Sequence, residues 1–143
     1  MRIPAAIALF FLWMPDASAL ELAVIVNAEH PSDGLSLQDC RQAFLKQFET
    51  WPTGVPLRPA DYLGEDMLRA VFLRKVVRYS DLELAQYWTQ RRYVEGVATP
   101  ARFETQADVI EYVAAHEGAI GYVHASAVVG AIGVKVVAVT SDP

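Results

Sequence analysis

The sequence predicts an α/β fold, a three-layer sandwich around a partly parallel mixed sheet, and two observations predict it. Short apolar runs at residues 22–27, 119–123 and 134–139 read as buried strands, the first covered on both faces. Between them lie segments with apolar residues at helical spacing, opened by capping residues. Strand and helix therefore alternate along the chain, the order that builds a sheet with parallel neighbours and helices packed on it.

Each element follows from local chemistry. After the first strand, residues 27–34 hold Pro31, Ser32, Asp33 and Gly34 and make a turn-rich loop. Ser36 caps a helix reaching about Phe48, with Leu37, Cys40, Phe44 and Phe48 on one stripe. Trp51-Pro52-Thr53-Gly54 breaks that helix, and residues 55–60 read as a strand, short or at an edge because Pro56 and Pro59 limit its ladder. After a loop at 61–64 a helix covers residues 66–77, with Leu68, Val71, Phe72 and Val76 inward and Arg69, Arg74 and Arg78 outward. Ser80-Asp81-Leu82-Glu83 is a capping box, so a further helix starts at Asp81 and buries Leu84, Ala85 and Trp88. Residues 93–102 read as irregular, broken at Gly96 and Pro100. Thr105 caps a helix over 106–117, ended by Gly118 in the position where a left-handed residue is easiest. Residues 125–133 fit a short helix or a loop. The run 134–139, apolar throughout, is expected inside the sheet.

The amino end reads as a signal peptide. Met1-Arg2 is positive, Ile3 to Trp13 form an apolar stretch shorter than the roughly 20 residues of a membrane span, and Ala17-Ser18-Ala19 is a small-residue cleavage pattern. Residues 1–19 are thus expected to be removed on export to the periplasm, leaving residues 20–143 as one domain. Arg2 and Asp16 cancel, so that domain keeps the net charge of −5 and has no electrostatic footprint for nucleic acid. The domain is too short for two lobes closing on a ligand.

Little in the sequence signals catalysis, a cofactor or a metal. The one cysteine, Cys40, shares a helix face with Leu37 and Phe44 and reads as core. His30, His116 and His124 lack metal-ligand spacing. Ser126 follows His124 with no implied acidic partner, which is no triad signal. Trp51, Trp88, Tyr87 and Tyr93 read as core packing rather than a ligand pocket. Arg69, Arg74, Lys75, Arg78, Arg91 and Arg92 form a basic band, read as a solvated face paired with Asp81 and Glu83.

Taken together, several motifs resemble a known family. Ser36-Leu37 opens a helix, Phe44-Leu45-Lys46 and Phe48 follow, then Trp51-Pro52-Thr53-Gly54, the helix at 66–77, Tyr87-Trp88, and Gly118-Ala119-Ile120-Gly121-Tyr122-Val123. In that order the chain, over residues 21–139, resembles small exported proteins related to phosphate ABC transporter substrate-binding proteins. The resemblance implies one lobe of a type 2 periplasmic-binding-protein-like fold. In those relatives a Gly-Ser-Gly-Thr-like turn holds the oxyanion with hydroxyls and amides; the aligned run here is Glu65-Asp66-Met67-Leu68, with both hydroxyls missing and two carboxylates in their place.

The ligand-binding residues expected on this basis are Asn27, Ser36, Asp61, Gly64, Glu65, Asp66, Arg69 and Ser126, at an open edge formed by residues 27–35, 61–67 and 124–126. Two functions stay open. One is an exported binding module for phosphate, another small oxyanion or a different solute, serving an ABC transporter. The other is an accessory protein that docks a membrane transporter or a periplasmic protein on the former cleft. For the leader the expected outcome is plain: mass spectrometry of the exported protein finds Leu20 at the amino terminus, and an intact Met1 on a periplasmic protein refutes cleavage.

Overall fold

The computed structural model describes residues 20–64 and 66–142; the expected leader lies outside them, as does Glu65. Among the described residues five strands make one sheet in the order β3-β2-β4-β1-β5. They are β1 (Leu20–Asn27), β2 (Arg58–Tyr62), β3 (Ala101–Phe103), β4 (Ala119–His124) and β5 (Val134–Asp142). β2 runs parallel to β3 and β4, whereas β1 is antiparallel to β4 and β5. The carboxyl ends of β2, β3 and β4 therefore share one end of the sheet. Asn27, the last residue of β1, sits at the opposite end.

The helices are α1 (Leu37–Phe44), α2 (Met67–Val71), α3 (Asp81–Glu95) and α4 (Gln106–Ala115). A π-helical turn, Phe72–Val77, extends α2, and a 3-10 turn, Ala125–Val128, follows β4. Alternation along β4 sorts these helices into two layers. Gly121 faces α4 so closely that an added Cβ would stand 2.7 Å from a Val109 methyl. Tyr122, one residue on, faces the other way, where its ring stacks on Phe72 at 3.9 Å and meets Phe44 edge-on at 5.9 Å. The result is helix, sheet, helix, the three-layer sandwich with a mixed sheet that the sequence predicts. α3 joins the Tyr122 side, its Tyr87 hydroxyl and Arg91 guanidinium donating to the Leu45 carbonyl at the end of α1.

Several expectations change at this level. α1 stops at Phe44, short of Phe48, because Lys46 turns left-handed at φ 50°. The second strand starts at Arg58, since residues 50–56 form their own turn, closed by Trp51 N–H donating to the Val55 carbonyl. It is short, as its prolines suggest, but interior. The single helix expected over 66–77 becomes α2 plus the π turn, which ends at left-handed Arg78. Arg69 points inward and is buried, and Ala85 is exposed. α3 runs on to Glu95 and stops at left-handed Gly96, and residues 101–103 form β3. β5 is an edge strand with Val136 and Val139 exposed; a register shift opposite Val24 and Ile25 inserts Val137 and breaks the alternation that would have marked an edge.

Gly118 corrects the sequence reading most sharply. α4 ends at Ala115 and Gly118 is not left-handed. A Cβ there would fall 1.8 Å from the Pro56 carbonyl oxygen, so glycine is required for close backbone approach instead. Its own carbonyl accepts from Arg58 N at 2.9 Å and from the buried Trp51 indole N–H at 3.0 Å. The indole thus pins the 50–56 turn to the start of β4. Trp51→Ala, losing this bond and a core aromatic, should cost about 3–5 kcal/mol in urea unfolding. Gly118→Ala should cost at least about 1–3 kcal/mol through overpacking against the Pro56 backbone; a change below ~0.5 kcal/mol for either contradicts the assigned role.

Candidate functional site

At the carboxyl ends of the parallel strands, where open α/β sheets gather ligands, lies a hollow of about 370 Å³. Its walls include Asp61, Tyr62, Gly64, Arg69, Asp81, Trp88 and Arg102. Asp61 is placed by β2, in register with Arg102 of β3. Its buried carboxylate is fully engaged: Oδ1 accepts from Tyr62 N at 2.8 Å, the Tyr122 hydroxyl at 2.6 Å and Arg69 Nε at 3.3 Å, and Oδ2 accepts from the Arg69 guanidinium at 3.3 Å. Arg69, carried inward by α2, donates with its other nitrogen to Asp81 at 2.5 Å, at the first position of α3. The Tyr62 hydroxyl completes the network on the Tyr122 carbonyl at 2.7 Å.

Burial and charge set the ionisation here. Burial works to lower the pKa of Arg69, but its hydrogen bond to Asp81 and the charge of Asp61 outweigh it and hold the guanidinium more firmly protonated than usual. Burial, reinforced by Asp61, pushes the Tyr122 phenol well above its ordinary value of 10.0, and burial with Asp66 and Asp61 does the same to Tyr62. Both phenols therefore stay neutral and donate. Elsewhere, burial drives the Cys40 thiol up to about 12, which makes it inert near neutrality. Among the described residues no three His, Cys, Asp or Glu side chains gather as a metal site.

Neither a family model nor a curated protein matches the sequence. Solved structures do. A Clostridium perfringens protein assigned as a phosphate ABC transporter substrate-binding protein, with bound phosphate, aligns at TM-score 0.65 and 18% identity, over 83% of this chain and 44% of its own. PstS from Borrelia burgdorferi aligns at TM-score 0.64 and 12% identity, over 84% of this chain and 47% of its own. An ABC-type phosphate transport receptor from Vibrio cholerae aligns at TM-score 0.59 and 14% identity, over 86% and 50%. The fold is that of one lobe of a periplasmic solute-binding protein. The chain spans about half the length of these neighbours.

The fold brings only some of the expected residues together. Asp61, Gly64 and Arg69 line the hollow, and exposed Asp66 stands beside it, its carboxylate occupying the Arg69 N–H as the cap of α2. Ser126 is exposed in the turn after β4, at the same end of the sheet. Asn27 is at the other end, its amide donating to the Val113 and Ala114 carbonyls of α4. Ser36 caps α1 next to Leu35, which is bonded to β5, and its hydroxyl accepts from Asp39 N. Sequence reasoning missed Tyr62 and Tyr122 as polar partners and took Asp81 only for a surface pair. Period-two alternation around Gly121 was the signal for Tyr122.

Because the unfolded phenols ionise near 10 while the folded ones resist it, stability should be fully present below pH 10 and fall as pH rises beyond it. Tyr122→Phe, leaving Asp61 one donor short, should cost about 1–3 kcal/mol at pH 7 and flatten that alkaline loss. An unchanged alkaline limb in urea titrations of the variant refutes the network as drawn.

Proposed function

We propose that this chain is an exported, non-catalytic domain of solute-binding type whose cleft face receives another protein chain rather than free phosphate. One observation carries the reading: the Arg69 guanidinium is already held by the carboxylates of Asp61 and Asp81. The protein supplies its own anions where a carrier would hold a ligand's. With Asp66 occupying the Arg69 N–H, the mouth of the hollow offers carboxylates to an incoming oxyanion. Leu63 and Met67, large, apolar and exposed, stand on the adjoining loop and helix start and suit contact with a macromolecule. Export rests on the leader pattern of residues 1–19 and on the transport proteins that share the fold. The partner is a membrane transporter or another periplasmic protein. Asp61, Arg69 and Asp81 in the hollow are spent on one another, which supports a binding role without chemistry.

A second reading, a small-oxyanion carrier, is favoured by exposed Arg102 at the rim of the same hollow and by the phosphate-binding neighbours. Calorimetry separates the two. The unmodified protein should bind phosphate no more tightly than about millimolar, and Asp66→Ser with Asp81→Ser, by removing two carboxylates and freeing one face of Arg69, should gain measurable affinity. Micromolar phosphate binding by the unmodified protein overturns the docking reading and establishes the carrier.

A further inference from the structure

His30, in the loop after β1, is 6% exposed, and its ring nitrogen Nε2 is buried with no hydrogen-bond partner. The other nitrogen fixes the protonation state. Nδ1 accepts from Ser32 N–H at 3.1 Å, a bond that only a bare lone pair can make, so the proton of the neutral ring sits on Nε2. The residue is also a junction. Its N–H donates to the Asn27 carbonyl, its carbonyl accepts from Lys135 of β5, and its ring meets the Trp51 indole edge-on at 4.4 Å. Beside that contact lies a cavity of about 750 Å³, walled by Pro31 and Leu35 of the loop and by Phe48, Trp51 and Pro52.

The charged groups around the ring do not provide for a second proton. Lys135 is itself a cation, tied to Asp33 at 3.0 Å. Asp39, in the cavity wall, accepts from Ser36 N–H. Glu29 and Glu117 are exposed and share a smaller cavity of about 230 Å³ with His30, but neither bonds to its ring. A charged imidazole in this position would hold two donors without an acceptor, beside an ammonium group.

We infer that His30 is an acid-operated latch on the loop after β1. A proton taken from solvent by the Nδ1 lone pair expels Ser32 N–H, drives the charged ring off Trp51 toward Glu29 and Glu117, and opens the larger cavity. Burial, with the Lys135 ammonium, holds the pKa of the enclosed ring below its ordinary 6.5, and a ring released into water recovers that value. The neutral ring therefore stabilises the closed loop fully above about pH 6.5, and the contribution is lost as pH falls below it. The Trp51 indole keeps its own bond to the Gly118 carbonyl, so the 50–56 turn stays in place when the loop leaves.

The latch lies at the Asn27 end of the sheet, away from the hollow, and does not depend on what the hollow binds. NMR from about pH 8 to about pH 5 tests it. Hydrogen exchange at the Ser32 amide, corrected for its intrinsic pH dependence, should report opening that rises about tenfold per pH unit below 6.5. The amides of β1 and the Trp51 indole N–H should keep their protection. His30→Gln, which takes up no proton in this range, should abolish the pH dependence. Glu29→Gln with Glu117→Gln, at exposed positions, should reduce opening at about pH 5.5 by about twofold to fivefold. Opening at Ser32 that is constant across the range, that persists in His30→Gln, that is undiminished in the double glutamine variant, or that takes β1 protection with it would each overturn the inference.

Discussion

A buried carboxylate organises this end of the molecule. Taking Asp61 out of water costs several kcal/mol unless its oxygens are matched by donors. The donors come from separate places: the backbone of Tyr62 in β2, the hydroxyl of Tyr122 in β4 and the guanidinium of Arg69 in α2. Arg69, buried in turn, has N–H donors left over after Asp61 and gives one to Asp81 at the start of α3. Two strands and two helices are thereby fixed by the demand of one charge for partners. Register is fixed with them, because a slip of β2 by one residue turns Asp61 to the other face of the sheet.

That network depends on the apolar packing beneath it. Tyr122 can present its hydroxyl to Asp61 only because its ring is clamped against Phe72 and Phe44. Phe72 opens the π turn, whose wider coil buries Val76 and Val77 and lets the Val77 carbonyl take the Arg41 side chain of α1. On the other face Gly121 admits α4 to within side-chain contact of the sheet. The polar site is a rim on an apolar interior, and the helix that bears Arg69 is positioned by residues three to eight places further along.

How legible this was in the sequence depended on the range of the interaction. The Ser80–Glu83 capping box is made within four residues and appears as read. The Ser36 cap does too, and it adds a reciprocal bond in which Ser36 N–H donates to the Asp39 carboxylate. Strand and helix alternation gave the fold class for the same reason. Gly118 misled because it is a favoured helix terminator, whereas its actual constraint is the Pro56 carbonyl, distant in sequence. Arg69 misled because its spacing on an ideal helix points outward; the carboxylates that draw it in lie eight residues before and twelve after it. In the candidate site, Asp61, Gly64 and Arg69 come together because one loop and helix start join them. Asn27 does not, because β1 is antiparallel to β4, a pairing that no local pattern announces.

The sign of the hollow follows from that same arrangement. One guanidinium faces two carboxylates, so the cluster carries net negative charge even though it is built around an arginine. At a separation near 4 Å and an effective dielectric of 20, each unit of like charge is worth about 4 kcal/mol, and about 1 kcal/mol in full water. An entering phosphate dianion meets that repulsion from the exposed Asp81 side, and Arg102 offsets it only from the solvated rim. Hydrogen bonds to a free anion recover roughly 1.5–3 kcal/mol each, but the donors that would supply them are those already committed to Asp61. A macromolecule presenting a cation flanked by apolar side chains meets neither cost, since Leu63 and Met67 stand exposed beside the carboxylates. The proposed docking reading therefore rests on the commitment of Arg69 to Asp61 and Asp81, more than on the shape of the hollow.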